Sequence, residues 1–490
     1  MSSAIGSTDD RKPSRTEERA VPLCVDLDGT LLKTDTLVEG LMRLLKRSVW
    51  SLLGILPAMF VSRARFKKEV AIRTELNVGL LPANQSFVDW LREQQSAGRP
   101  LVLCTAANFR IAEKVAEHYG LFCRVIASDD NHNLSGRTKG ARLLAEFGRG
   151  GYDYAGNEVK DLHVWETARH AVVVNPSAAL TSRLASLPRT EKVFPRETVN
   201  RARSWVRAMR LHQWAKNVLV FVPAVASHRL LDLDILLSSV IAFLAFGLCA
   251  SGTYLLNDLL DLDDDRQHPR KRLRPFASGE LALITGIFVA AGMVITAVLV
   301  AILSLGWLFT GVLAAYIVAT VWYSAKLKRI PMVDILTLAT LYTVRVIAGA
   351  AATHIRPSFW LLAFSVFLFL SLAAAKRYAE LLLMAAASKT KAAGRGYLVD
   401  DLPLVQSCGV ASGYLSVLVL ALYINSGAAG LYSRPEAMWL LCPVLMYWMN
   451  RVWLKTHRGL MHDDPLVFTL RDKASLIAGA FAVVLVLVAL

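Results

Sequence analysis

Residues 257–281 read NDLLDLDDDRQHPRKRLRPFASGEL, directly after a long apolar run. Five aspartates, Asp258, Asp261, Asp263, Asp264 and Asp265, fall within eight residues. If the preceding helix continues, Asp258, Asp261 and Asp265 stand at i, i+3 and i+7 and share one face. Stacked carboxylates at a membrane boundary repel one another and are expensive to desolvate. A divalent cation relieves both problems, and Mg2+ takes oxygen ligands that it shares readily with substrate phosphates. The plain alternative is a solvated acidic loop. Against it stand the next residues, Arg266, Arg270, Lys271, Arg272 and Arg274. Arginine supplies bidentate donors and lysine a point charge, so acids backed by this basic run suit a substrate with more than one phosphate group.

The chain around this stretch is strongly apolar. Of its 490 residues 54% are hydrophobic, and the mean hydropathy is +0.41. Nine apolar segments lie near 214–228, 233–257, 281–304, 306–324, 333–351, 358–376, 406–427, 435–454 and 474–490, the first interrupted by Pro223. Residues 1–20 are polar and charged, read as disordered, and show no export signal. The N-terminal domain is therefore placed in the cytoplasm. The loop after the sixth segment then carries Lys376, Arg377, Lys389, Lys391 and Arg395 on the cytoplasmic side. The opposite loops hold only Arg229, Arg356 and Arg434. That asymmetry follows the positive-inside rule and predicts nine spans in the inner (plasma) membrane. The net charge of +16 is explained the same way, because the basic residues sit beside apolar runs facing anionic lipid; nucleic acid is not expected as a partner. Six scattered cysteines without a CxxC pair read as free thiols in a reducing compartment.

Residues 21–198 read as a soluble α/β domain, joined by a linker over 199–212 to the membrane half, 213–490. The runs Val21–Val25, Leu101–Cys104, Arg124–Ala127 and Ala171–Val174 are short, apolar and β-branched, which predicts buried parallel strands between helices. The charged stretch Arg189–Arg210 reads as connection. The first strand ends in Asp26-Leu27-Asp28-Gly29-Thr30. A carboxylate there can attack phosphorus, and a second one two residues on points to the same side and can shuttle a proton. Val49–Val61, VWSLLGILPAMFV, is too apolar for the surface of a soluble domain and too short to span a bilayer. It is either a buried cap helix over Asp26 or a membrane-surface anchor, its flanks carrying Lys46, Arg47, Arg63, Arg65, Lys67 and Lys68. Pro57 predicts a bent hairpin or two short helices.

Two families are recognisable in these motifs. Asn257, Asp258, Asp261 and Asp265 match the NDxxDxxxD signature of the UbiA superfamily of intramembrane prenyltransferases. The longer string resembles its decaprenyl-phosphate phosphoribosyltransferase branch, as do Gln213-Trp214-Ala215-Lys216-Asn217 and Lys376-Arg377-Tyr378-Ala379-Glu380-Leu381. Two features depart from the superfamily. Asp334 has no acidic partner four residues on, and the Tyr323–Lys328 segment shifts the Tyr–Lys spacing by one. DxDGT resembles the haloacid dehalogenase superfamily, whose further motifs match Thr105, Lys139 and the stretch Gly156–Asp161. Asn157 stands where many members carry an acid.

The resemblance implies an α/β Rossmann-like domain followed by an all-α nine-helix bundle. It implies Mg2+-dependent transfer of 5-phosphoribosyl from phosphoribosyl pyrophosphate to a polyprenyl phosphate. Asp258, Asp261 and Asp265 would hold the metal. Lys271, Arg272 and Arg274 would take the ribose 5-phosphate and Lys216, Lys376 and Arg377 the lipid phosphate, with Asn257, Arg266, Tyr323 and Lys328 also in the site. In the soluble domain it implies Asp26 as nucleophile, Asp28 as acid/base, Thr105 and Lys139 as phosphate holders, and Asp26, Asp28, Asn157 and Asp161 around Mg2+. Its expected task is to remove the ribose 5-phosphate from the lipid product. The rival enzyme is an aromatic prenyltransferase with an unrelated or inactive phosphatase. A cation-coupled lipid transporter is disfavoured because the charges cluster at one membrane face. An oligomer is compatible with the sequence.

Overall fold

Strand β1 (Leu23–Val25) pairs in parallel with β2 (Leu101–Asn108) on one side and β4 (Asp153–Gly156) on the other. With β3 (Arg124–Ser128), β5 (Ala171–Val174) and β6 (Thr190–Phe194) they form a six-stranded parallel sheet in the order 3-2-1-4-5-6. Alternate side chains of β1 are buried on opposite faces. Leu23 and Val25 join Phe87, Leu91 and Val172, while Cys24 joins Val102, Tyr154 and Trp165. Burial on both faces explains why the strands read as continuous apolar runs. The strand order reverses at β1, so a crevice opens beyond its carboxyl end, and Asp26 is the next residue. Strand β6 escaped the sequence reading. Thr190–Phe194 lies in the charged stretch expected as connection, yet it pairs with β5 from Ala171↔Thr190 to Val174↔Phe194. It is an exposed edge strand, and charged edges protect a sheet from further pairing, so the apolar criterion passes over it.

The computed structural model of the chain describes residues 21–183, 189–196, 199–386, 395–426, 432–461, 464–469 and 471–489. The N-terminal twenty residues and Lys389 and Lys391 lie outside them. Between β1 and β2 run helices α1 (Thr36–Arg47), α2 (Val49–Leu53), α3 (Leu56–Val61) and α4 (Arg63–Arg73). Asp35 caps α1 by accepting from the backbone N–H groups of Leu37 and Val38. Pro57 sits in the first turn of α3, where its missing N–H costs nothing, so Val49–Val61 folds as two short helices.

Contacts divide the chain into two compact units: Met1–Trp205 with Asp258–Gly286, and Val206–Asn257 with Ile287–Leu490. The acidic and basic stretch, expected with the membrane half, thus packs with the soluble fold. The linker is not irregular, since Arg201–Met209 is helical.

Among the described residues five helical stretches are long and apolar enough to cross a membrane: Leu233–Leu260, Leu283–Ala325, Val333–Thr353, Phe359–Ala386 and Val399–Asn425. The second contains a π-helical turn at Ala301–Leu305 and then Gly306, at the point where the sequence separates two segments. The first apolar segment is a 3-10 stretch, Leu211–Phe221, followed by the short helix Val222–Ala226. Pro223 withholds a backbone donor there, which breaks a continuous α-helix.

Candidate active sites

At the carboxyl end of β1 the sheet delivers the predicted phosphatase residues to one place. Lys139 Nζ lies 2.8 Å from Asp26 Oδ1 and donates to the Tyr154 hydroxyl at 2.8 Å. That hydroxyl donates to Asp161 Oδ1 at 3.0 Å, and Asp161 Oδ2 accepts the backbone N–H groups of Asn157 and Glu158. Asp28 Oδ1 accepts the N–H of Thr36, the first residue of α1, at 2.8 Å. The Thr105 hydroxyl, fully buried, accepts from Ala107 N–H and so shapes the loop after its strand. Gly29 has φ +78°, and a Cβ there would meet the Asn157 amide nitrogen at 2.2 Å, so this glycine lets Asn157 close on the DxDGT turn. Thr30 Oγ1 donates to Asn157 Oδ1 at 3.3 Å.

Burial pushes the Asp28 carboxyl up to about 8, helped by the nearby Asp35 and Asp26 charges. Burial and Asp26 push Asp161 to about 6. Burial opposes the Lys139 charge, but Asp26 and Asp161 outweigh it and raise its pKa. Asp26 and Asp161, linked through Lys139 and the Tyr154 hydroxyl, together with Asp28 two residues from Asp26, offer oxygen ligands of the kind Mg2+ takes.

Sequence reasoning missed two members of this site. Tyr154 is hidden in an aromatic strand. Lys67, grouped with the flanks of the apolar segment, turns inward instead: its Nζ reaches Ala106 O at 2.6 Å and Asn133 Oδ1 at 2.8 Å. Lys68 likewise pairs with Asp130 at 2.9 Å. A different trio, Asp153, His170 and Glu191, brings ligand atoms within 4.8 Å of one another. Arg99 bonds both Asp153 and Glu191, and Arg169 Nη2 lies 2.8 Å from Asp153. These arginines already neutralise the acids, and Asp153 begins β4, at the end of the strand away from Asp26. The trio is an ion-pair knot.

In the same unit, the acidic stretch departs from the expected straight helix. Leu233–Leu260 ends before Asp261, whose φ of −97° and ψ of 16° break the run, and a short helix follows over Leu262–Gln267. Asp265 N–H still donates to Asp261 O at 2.8 Å, so the register advances by about a turn. Asp258 and Asp265 are brought together by a residue expected to bind the ribose 5-phosphate. Arg274 Nη1 lies 3.1 Å from Asp258 Oδ1 and 2.7 Å from Asp265 Oδ2. Burial pushes Asp265 up to about 6 against the pull of Arg274. Two buried acids held by one cation again fit a metal-ligand role.

Asp261 faces a different neighbour, Lys46 Nζ at 3.7 Å. Lys46 also reaches Asp264 at 2.8 Å, and Arg43 pairs with Asp263 at 2.6 Å. Arg266, expected in the substrate site, instead forms a buried fork on Glu39 of α1, at 2.7 and 3.1 Å. Lys271 and Arg272 are exposed.

In the second unit Lys216 and Lys376 converge on a residue the sequence did not flag. Asp464 Oδ2 lies 2.7 Å from Lys216 Nζ and 3.1 Å from Lys376 Nζ, and the Tyr342 hydroxyl donates to the same carboxylate at 2.8 Å. Burial notwithstanding, Lys376 and Lys216 hold Asp464 well below the usual carboxylate range. Arg377 does not join them. It is 1% exposed and bonds Glu380 and Asp334, a structural cation rather than an open phosphate donor. Tyr323 donates to Asp334 Oδ1 at 2.7 Å, with Arg395 3.3 Å from the same oxygen. Lys328 is half-buried in the turn Leu327–Arg329, and Asn257 is half-buried in the last turn of Leu233–Leu260. A further buried cation, Arg345, bonds Asn217 Oδ1 and the Tyr316 hydroxyl at 3.1 Å each.

Residues 218–470, half of the chain, match the model of the UbiA prenyltransferase family. The chain belongs to that family. It is an integral membrane protein, and residues 23–153 match the haloacid dehalogenase-like hydrolases, so a hydrolase-type domain precedes the UbiA domain. An uncharacterized protein of Sinorhizobium fredii is 36% identical over 94% of this chain and 90% of its own length. The nodulation protein NoeC of Azorhizobium caulinodans is 35% identical over 56% of this chain and 89% of its own length. The decaprenyl-phosphate phosphoribosyltransferase of Mycobacterium tuberculosis is 36% identical over 42% of this chain and 68% of its own. A solved UbiA homolog from Archaeoglobus fulgidus, bound to GPP and Mg2+, is 14% identical over 58% of this chain and 99% of that one, with a TM-score of 0.45.

Proposed function

We propose that the UbiA domain transfers 5-phosphoribosyl from phosphoribosyl pyrophosphate to a polyprenyl phosphate, and that the hydrolase-type domain removes the phosphate from C5 of the ribose to give polyprenylphosphoryl ribose and inorganic phosphate. The observation that carries this reading is the turn in which Arg274 gathers Asp258 and Asp265 beside the exposed Lys271 and Arg272, in a chain that over 42% of its length is 36% identical to a decaprenyl-phosphate phosphoribosyltransferase. A phosphate oxygen of the lipid attacks C1 of the ribose, the C1–O bond to pyrophosphate breaks, and its electron pair leaves on the pyrophosphate oxygen. Lys216 and Lys376 orient the lipid phosphate, while Lys271 and Arg272 hold the 5-phosphate, with Asn257, Tyr323 and Lys328 in supporting positions. Asp258, Asp261 and Asp265 in one site, and Asp26, Asp28, Asn157 and Asp161 in the other, would hold Mg2+, which would supply charge to offset the phosphate oxygens.

In the soluble site Asp26 attacks phosphorus, the phosphorus–oxygen bond to ribose breaks, and Asp28 gives its proton to the leaving oxygen. A water deprotonated by Asp28 then cleaves the acyl phosphate. Lys139, Thr105 and the inward-turned Lys67 hold the phosphate oxygens.

The rival reading, prenyl transfer to an aromatic acceptor, lacks support at Asp334. That acid is fully buried and bound by Arg377 and Arg395. The proposal includes nine spans, with the soluble domain and both sites on the cytoplasmic face of the inner membrane; the basic loops support this topology.

The test is to incubate the purified chain with Mg2+, a polyprenyl phosphate and labelled phosphoribosyl pyrophosphate, and to identify lipid products by mass. The wild type is expected to yield the ribose lipid, and Asp26→Asn the phosphoribose lipid. No labelled lipid from either would refute the transferase reading. The same product from both would refute the phosphatase step alone.

A further inference from the structure

The hairpin α2–α3 is the most apolar exposed feature of the soluble fold. Neither helix has a buried residue. Trp50 is 80% exposed and Phe60 89%, with Val49, Leu53, Leu56, Met59 and Val61 also open to solvent. Only Ile55, in the turn between them, is fully buried, and it packs with Leu44 and Val70 to fix the hairpin on α1 and α4. A cap closed over Asp26 would bury this face; here its rings point away from the fold. An apolar patch of this kind on an otherwise polar domain marks an interaction surface.

Three observations identify the occupant as a bilayer surface. First, the hairpin is too short to span, since a crossing helix needs about 20 residues. Second, its flanks are basic. Arg47, Arg63 and Arg65 are exposed, and no acid occurs between Lys46 and Lys68. Aromatic and aliphatic side chains between cationic flanks match a lipid interface with anionic headgroups. Third, the chain itself places the hairpin at the membrane boundary. Lys46 Nζ is 2.8 Å from Asp264, four residues beyond the end of the membrane-length helix Leu233–Leu260. An extended chain covers at most about 3.6 Å per residue, so Lys46 lies within roughly 15–20 Å of that helix end. Trp50 follows four residues later.

We propose that α2–α3 is a monotopic anchor that inserts Trp50, Leu53, Met59 and Phe60 into the cytoplasmic leaflet. The anchor continues directly from α1, whose Glu39, Arg43 and Lys46 hold the acidic turn, so the membrane would steady that turn from the soluble side.

The test uses the full chain in nanodiscs of phosphatidylcholine and phosphatidylglycerol. Cys123 and Cys408 are exposed and are replaced by serine, the other four cysteines being buried. A nitroxide is placed through Phe60→Cys, or through His132→Cys as a water-exposed reference. Collisions with oxygen against a water-soluble nickel chelate report depth. The label at 60 is expected about 5–10 Å below the headgroup level, the usual depth of an interfacial helix. It should become shallower when Arg47, Arg63 and Arg65 are all changed to glutamine. Nickel accessibility at 60 equal to that at 132 would overturn the proposal. So would dipolar broadening at 60 that disappears on dilution with unlabelled chain, which would identify a second copy as the occupant.

Discussion

Removing the Glu39 carboxylate should loosen the acidic turn more than any other single contact between α1 and that turn. Glu39 is 1% exposed, and the Arg266 side chain that forks onto it is 5% exposed. Thr34 Oγ1 adds a buried bond to Glu39 Oε1 at 2.8 Å. Glu39→Ala leaves a buried guanidinium and a hydroxyl without their acceptor, a loss of about 3–5 kcal/mol for one half of a buried pair. The neighbouring pairs are weaker anchors. Arg43–Asp263 and Lys46–Asp264 have side-chain exposures of 15%/30% and 29%/57%, and such pairs contribute roughly 0.2–1 kcal/mol. Amide hydrogen exchange of the full chain in nanodiscs reads the difference. At about 1.4 kcal/mol per tenfold, Glu39→Ala should speed exchange between Asp265 and Leu281 by roughly 100- to 4,000-fold where local opening controls it. Glu39→Leu combined with Arg266→Met should restore most of the protection, since an apolar pair replaces a buried ion pair at little cost. Unchanged protection in Glu39→Ala would refute the claim that this fork pins the turn.

Asp258→Ala and Asp261→Ala should each abolish phosphoribosyl transfer while leaving hydrolysis of a small phosphate ester intact; undiminished transfer in both would remove the metal assignment. Chelation of divalent cations should stop both activities, reversibly on adding Mg2+, and an activity that survives exhaustive chelation would show that its acid cluster works without metal. Gly29→Ala should cut ester hydrolysis and spare transfer, because the new Cβ meets the Asn157 amide at 2.2 Å in a left-handed backbone that costs about 1–2 kcal/mol besides; equal hydrolysis would show that Asn157 can move freely. Asp464→Asn should raise KM for the lipid phosphate more than it lowers kcat, by withdrawing the carboxylate that keeps Lys216 and Lys376 together; a pure kcat loss would place Asp464 elsewhere in the reaction.

The parts of the molecule legible in sequence are those whose chemistry is local. Asp26 and Asp28 follow a strand whose residues are buried on both faces, so a short apolar run located them. Asp258, Asp261 and Asp265 stand out by their i, i+3, i+7 spacing at the end of an apolar run, although the break at Asp261, which sends it to Lys46, has no mark in that spacing. The rest depends on partners far apart in the chain. Asp464 is 248 residues from Lys216 and 88 from Lys376, and no spacing rule connects them. Lys67 shares its composition with the basic flank of the hairpin, and only the path of α4 turns it toward Ala106. Arg266 sits in a basic run whose other members suggested phosphate binding, but a buried glutamate 227 residues away claims it. The edge strand Thr190–Phe194 is missed for the reason that makes it a good edge: its outward face is charged.

Arg274 connects the observed turn to the proposed chemistry. Its guanidinium occupies the place between Asp258 and Asp265 where the sequence predicts a metal, although the same residue was expected to take the ribose 5-phosphate. Both roles follow from one balance of charge. Two buried carboxylates draw the nearest positive group, and the arginine nine residues from Asp265 is within reach. A bound divalent cation would satisfy the acids and release the guanidinium for an anion, so metal and phosphate would favour each other's binding. The measurable consequence is reciprocal. Saturating phosphoribosyl pyrophosphate should tighten Mg2+ binding to the full chain, and Arg274→Gln should weaken that linkage while leaving the soluble site's metal response unchanged. Isothermal titration in an Asp26→Asn, Asp28→Asn and Asp161→Asn background, which removes the carboxylates of the soluble site, isolates the effect. Equal Mg2+ affinity with and without the pyrophosphate substrate would show that Arg274 remains on the acids throughout and never serves the substrate.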